Sequence, residues 1–159
     1  MPGDGTESRA AYLTQQAQTI VRGVSLGEFS WPVRVYYEDT DAGGIVYYAN
    51  YLKFCERART EWLRALGVEQ DGWLDEKIGF VVRHVSLDLR APARFNDFLT
   101  VTVVPTRIRK ASIECMQEVR HVNGQVLCVA EVKAACVNLA TMKPVAIPGP
   151  IIEVLGRGS

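Results

Sequence analysis

Histidine is scarce in this chain: two residues in 159, His84 and His121, with no metal-ligand spacing and no H-E-x-x-H context. Each falls on the polar side of an alternating segment and reads as a solvated or hydrogen-bonded side chain. Chemistry that needs a placed imidazole is therefore disfavoured. Net charge is also missing, since 18 Lys and Arg balance 18 Asp and Glu. No global field draws in nucleic acid or an anionic membrane, and any anion site must be local. No run approaches the roughly 18 apolar residues of a membrane-spanning helix. The N-terminus lacks the basic-then-apolar order of a signal peptide, and no N-x-S/T acceptor occurs. The four cysteines, Cys55, Cys115, Cys128 and Cys136, form no C-x-x-C pair. Lying inside periodic segments, they read as small buried hydrophobes in a reducing compartment, and the cytoplasm is the expected location.

What is present suits one domain with one sizeable core, at 48% hydrophobic content. Residues 1–30 read as an N-terminal extension. Its first nine residues are polar and Gly-rich, and Leu13, Ala17, Ile20 and Val21 share a helical face within 10–22. Residues 31–150 carry the domain pattern, and 151–159 read as a tail. Val33 to Glu38 is β-branched and aromatic, which predicts a strand. A helix follows the Ala42-Gly43-Gly44 turn, with Tyr51, Cys55, Ala58 and Trp62 on one stripe, Leu52, Leu63 and Leu66 widening it, and Gly67 as C-cap. After a polar link through Asp71-Gly72, four strands are expected: Phe80 to Arg90, Leu99 to Ile108, Ser112 to Val122 and Val126 to Leu139. Asn123-Gly124 is the clearest hairpin signal among them. The fold class is α+β, with mostly antiparallel strands and one long helix.

Two segments invite chemistry. Gly23-Val24-Ser25-Leu26-Gly27 matches G-x-S-x-G, but the nucleophile elbow needs a strand before it and a helix after it. Here a helical pattern precedes and Trp31-Pro32 opens a strand, so a plain loop is the better reading. The second segment is Tyr36 to Glu61, YYEDTDAGGIVYYANYLKFCERARTE. Two aspartates, Asp39 and Asp41, stand beside permissive glycines and just ahead of a helix whose first amides are free. A carboxylate there can attack a carbonyl or activate water while peptide N–H groups receive an oxyanion. On an extended segment the two aspartates share a side. The spacing alone leaves an Asx-turn or a helix cap open for both. Asn50 reads as a cap or as a positioner of the turn. Arg107, Arg109 and Lys110 cluster at the turn between two strands, either as a solvated hairpin or as a local anion site.

The pattern aromatic-x-D-x-D-x-x-G-x-V-x-[HY]-x-N-Y, filled here by Asp39, Asp41, Gly44, Val46, Tyr48, Asn50 and Tyr51, resembles hotdog-fold acyl-CoA thioesterases of the 4-hydroxybenzoyl-CoA thioesterase type. Within that type it looks most like the bacterial Tol-Pal-associated thioesterases. The resemblance spans about Pro32 to Pro148. It implies a curved antiparallel sheet of about five strands around a central helix, with Asp41 catalytic and the Tyr48 amide as oxyanion donor. Gly44 and Val46 are then expected at the substrate, and Arg107, Arg109 and Lys110 near the nucleotide of an acyl-CoA. No metal or cofactor is implied. The same resemblance implies a homodimer or homotetramer with shared active sites. Tol-Pal-type relatives often carry histidine where this chain has Tyr48, which bears on substrate preference. An acyl-carrier-protein thioesterase and a non-hydrolytic acyl-CoA-binding module are the alternatives. The zero net charge argues against an acidic carrier as partner, and Asp41 argues against a module that only binds.

Overall fold

The computed structural model describes residues 27–156, so the helix expected over 10–22 lies outside the described residues. The chain opens with β1 (Phe29–Arg34), passes a 3-10 turn at Tyr37–Asp39 and enters α1 (Asn50–Ala65). A short α2 (Gln70–Asp75) leads into β2 (Ile78–Leu89), β3 (Phe98–Ile108), β4 (Ser112–His121) and β5 (Val126–Asn138). A two-residue β6 (Lys143–Pro144) and α3 (Gly149–Gly156) finish the described chain. The sheet runs β1-β3-β4-β5-β2, with β6 on β5, and every pairing is antiparallel. It curls around α1 as expected of the hotdog architecture.

The 3.6-residue period of α1 sets its buried stripe. Tyr51, Phe54, Cys55, Ala58, Trp62 and Leu63 are buried together against Val33, Val35, Leu99, Val101, Val103 and Val119. Phe54, at 0% exposure, alone removes enough apolar surface to contribute roughly 2–3 kcal/mol. The helix ends as its glycine predicts. Gly67 takes φ 83°, its N–H donates to Arg64 O, and the Val68 N–H donates to Leu63 O, the bond pair of a Schellman stop. At Asn123-Gly124, Gly124 adopts φ 94° and its N–H donates to His121 O, closing the β4–β5 hairpin.

Several local expectations change. β1 begins at Phe29, ahead of Pro32, because an edge strand tolerates a residue with no N–H to donate. In β2 a bulge between Val82 and His84 shifts the register on β5. Phe80 and Val82, rather than Val81, therefore share a face with Val85, Leu87 and Leu89. The polar link holds α2, too short for a clear period. The tail expected from 151 is not a tail through Gly156: Ile151 and Leu155 stand one turn apart and are 2% and 1% exposed, so α3 closes the core. β5 is interior to the sheet, with β4 and β2 on its two sides. The sheet's edges are β1 and β2, and on β2 Val82, Val85 and Leu89 are exposed.

Candidate active site

The Asp39–Tyr48 segment folds into a tight loop at one end of α1. Asp41 N donates to Ile45 O at 2.8 Å, Gly44 N donates back to Asp41 O at 3.0 Å, and Thr40 bridges Val46. Gly44 supplies the left-handed turn residue, at φ 80°. Gly43 allows a close approach, since a Cβ there would meet Asp41 Oδ1 at 3.2 Å. The loop is fastened to the β2–β3 connection, where Val46 N donates to Ala93 O at 2.8 Å and Ile45 bridges Arg94. The buried Tyr51 hydroxyl accepts the Ala93 N–H at 3.2 Å. Burial, first among its causes, pushes the Tyr51 phenol above its ordinary value.

The two aspartates do not share a side. The 3-10 turn rotates Asp39 inward, to 6% exposure, and its carboxylate accepts the Tyr36 N–H at 2.9 Å. Asp41 points out. Its Oδ1 accepts the Gly43 N–H at 2.8 Å in an Asx-turn, and its Oδ2 meets no donor among the described residues. One position is structural and the other presents a solvent-facing carboxylate.

At the opposite side of the loop the chain turns into α1 through tight bonds. Asn50 N donates to Tyr47 O at 2.8 Å, Tyr51 N to Tyr48 O at 3.3 Å and Leu52 N to Ala49 O at 3.2 Å. No side chain caps the helix. Among the described residues the Tyr48 and Ala49 N–H groups donate to no acceptor, while the Tyr47 N–H is taken by Asp39 O at 2.9 Å. Free peptide donors at a helix start receive negative charge well. The Tyr48 side chain is 57% exposed and its ring leans on Tyr47, with centroids 4.8 Å apart. The hydrogen bond between these two hydroxyls raises the Tyr47 phenol.

The remaining candidates divide. Gly44 is exposed on the loop. Val46, expected at the substrate, is instead 4% exposed and belongs to the core, because its position alternates inward from exposed Tyr47; it anchors the loop. Arg107, Arg109 and Lys110 do come together, exposed, at the β3–β4 turn. Arg109 N donates to Ser112 O at 2.8 Å, and Arg107 Nε lies 3.9 Å from a Glu114 carboxylate oxygen. That turn sits at the far end of β3 from the Asp41 loop, roughly 30 Å along the strand at its ordinary rise. The four thiols are free and buried, and among the described residues no group of three His, Cys, Asp or Glu could hold a metal. Of the two readings of Asn50, cap or positioner of the turn, the structure favours the second, since its side chain joins the two halves of the loop (Nδ2 to Asp39 O, 2.8 Å) and caps no helix amide. Its 11-residue separation from Asp39 carries no periodic signal.

A curled antiparallel sheet around one helix is the hotdog thioesterase fold. The chain belongs to the thioesterase-like superfamily, which it matches over residues 35–155. It is 45% identical over 124 residues to the acyl-CoA thioester hydrolase YbgC of Escherichia coli O6:H1, covering 78% of this chain and 92% of that one. It is 49% identical over 121 residues to the acyl-CoA thioesterase YbgC of Haemophilus influenzae, covering 76% and 88%. YbgC is the Tol-Pal-associated thioesterase, the type the motif resembles. Among solved structures, a 1,4-dihydroxy-2-naphthoyl-CoA thioesterase from Synechocystis superposes with a TM-score of 0.76 at 26% identity, over 82% of this chain and 96% of that chain. A probable thioesterase from Bartonella henselae gives 0.69 at 35% identity, over 77% and 99%.

Proposed function

We propose that the chain hydrolyses acyl-CoA to a free acid and CoA, with Asp41 as the reacting carboxylate and the Tyr48 N–H as oxyanion donor. One observation carries this reading: a single loop bears both an outward carboxylate and, seven residues on, a backbone N–H without an acceptor. The chemistry needs little more. A thioester has weak resonance protection, and its thiol, of ordinary pKa about 8.5, leaves as thiolate without obligatory proton donation. On one route the Asp41 carboxylate attacks the carbonyl, the C–S bond breaks, and water cleaves the resulting mixed anhydride. On the other, Asp41 takes a proton from water and the hydroxide attacks. In both, negative charge on the carbonyl oxygen develops toward the Tyr48 N–H.

The assembled enzyme is inferred to be a homodimer, or a tetramer of two dimers, joined along β2. Support comes from the exposed apolar residues on that strand's free edge. A two-fold axis through β2 runs the second copy's sheet antiparallel to the first. Its far end, with the basic turn, then lies beside the first chain's Asp41 loop. Arg107, Arg109 and Lys110 are assigned to CoA phosphates on that basis, each site drawing on two chains. Four free, buried thiols fit a reducing compartment, and no helix among the described residues is long and apolar enough to cross a membrane. The test is a panel of acyl-CoA and acyl-carrier-protein thioesters assayed by free thiol release, with an Asp41→Ala variant beside the parent. Release from acyl-CoA that depends on Asp41 supports the reading. Release only from the carrier-bound substrate moves the chain to that alternative.

A further inference from the structure

The Tyr48 peptide owes its orientation to a joint that involves neither Asp41 nor Tyr48 directly. The Asp39 carbonyl oxygen accepts two donors, Tyr47 N at 2.9 Å and Asn50 Nδ2 at 2.8 Å. Both of its lone pairs are thus used. Asn50 is 7% exposed and Asp39 6%, so water does not readily stand in for either bond. The backbone of Asn50 closes the figure, since its N–H donates to Tyr47 O at 2.8 Å. Tyr47 C=O and Tyr48 N–H belong to one planar trans peptide and point opposite ways. Holding the carbonyl on Asn50 therefore aims the Tyr48 N–H away from the helix. The side chain of the same asparagine fixes how far the helix start lies from Asp39, two residues before Asp41.

From this geometry we infer that Asn50 is a positioning residue, which sets the Tyr48 N–H against the Asp41 carboxylate by clamping the first residue of α1 to the Asp39 carbonyl. The inference rests on the catalytic reading of Asp41 and Tyr48 above. Neither a helix cap nor a general core role accounts for the arrangement. The side chain of Asn50 caps no helix amide, and its one hydrogen bond crosses to the loop rather than to the sheet. Leucine at this site has similar volume and no donor. Aspartate has the shape but, ionised, would set a carboxylate against a carbonyl oxygen.

Asn50→Leu, Asn50→Ser and Asp41→Ala, with the double variant Asn50→Leu/Asp41→Ala, test this by steady-state kinetics on acyl-CoA, with rates scaled to the folded fraction measured by circular dichroism. The expected result for Asn50→Leu is a kcat loss of about 10²-fold, the scale of a misplacement near 1 Å, with KM within about threefold. Asn50→Ser, which leaves room for a bridging water, recovers part of that loss and stands in if the leucine variant fails to fold. In the Asp41→Ala background the Asn50→Leu penalty shrinks severalfold, because the pair being aligned is already broken. A purely structural residue would lower the folded fraction and leave kcat per folded enzyme and its coupling to Asp41 unchanged; that pattern overturns the inference. If Asp41→Ala is inactive while both Asn50 variants turn over normally, the positioning role alone is wrong. If Asp41→Ala turns over normally, the catalytic reading falls and takes this inference with it.

Discussion

Gln117 gives the most quantitative test of how α1 is held. It lies on β4, is 0% exposed, and donates Nε2–H to the Cys55 carbonyl of α1 at 3.0 Å. Its Oε1 accepts the Arg59 guanidinium at 2.9 Å, the one side-chain hydrogen bond Arg59 makes among the described residues. Replacing Gln117 by leucine keeps the volume and removes both bonds. The Cys55 carbonyl retains its place in the helical ladder, so that loss is about 1 kcal/mol. The Arg59 contribution is discounted to a similar size, because its half-buried head can find water. Apolar burial of the leucine returns part of the sum, leaving a net cost of about 1–2 kcal/mol. For a chain of this size that is a fall in Tm of roughly 5 °C at fixed protein concentration. Gln117→Ala adds a cavity and should cost about 2 kcal/mol more. The cycle with Arg59→Met is decisive. Once leucine stands at position 117 the guanidinium has lost its side-chain partner, so removing it should cost little or nothing. Calorimetry on the four proteins checks this. Additive penalties, or a Gln117→Leu variant as stable as the parent, would mean that the helix sits on the sheet by apolar packing alone.

Three further outcomes follow from the geometry. Lysine at Val82 and Val85 together should charge the free β2 edge, reduce the protein to monomers in sedimentation at micromolar concentration and abolish turnover; unchanged assembly with full activity would refute the β2 interface. Alanine at Arg107, Arg109 and Lys110 should raise KM for acyl-CoA about tenfold with little change in kcat, and leave a pantetheine thioester unaffected; equal losses on both substrates would assign the turn to the fold. Burial, first among its causes, pushes the Cys55 thiol up to about 12 and the Cys115 and Cys128 thiols to about 11. Below about 8.5, the ordinary thiol value, folded and unfolded chains both keep these protons. Above it the unfolded chain releases them first. Stability should therefore fall as pH rises from about 9 toward 11, read as a decreasing urea midpoint, and a thiol reagent at pH 8 should react only as the chain unfolds.

The central helix was legible because its stripe repeats at 3.6 residues and its end carries a glycine. The β4–β5 hairpin was legible because Asn-Gly fits few other conformations. The bulge in β2 was not, since Val81 and Val82 stand side by side and alternation can be counted from either. The 3-10 turn had the largest consequence for the site. Alternation put Asp39 and Asp41 on one side, and a single turn of three residues sends one inward and the other out. Val46 shows the same limit: a motif position counts a residue as near the site without saying which way it faces. The distance of the basic turn from Asp41 was equally invisible, because it depends on the order in which antiparallel strands pair. The α3 helix was missed for brevity, and only the burial of Ile151 and Leu155 gives it a role.

Turnover in Asp41→Ala and Asp41→Asn bears most directly on the account. The residue lies exposed in a turn, outside the core, so both variants should fold and assemble like the parent. Measured by thiol release from saturating acyl-CoA, kcat should fall by about 10²–10⁴, the range of a lost catalytic acid or base, while KM changes little. Near-parental kcat in Asp41→Ala, in a protein of unchanged mass in solution, would contradict the assignment and place the reacting group elsewhere in the chain.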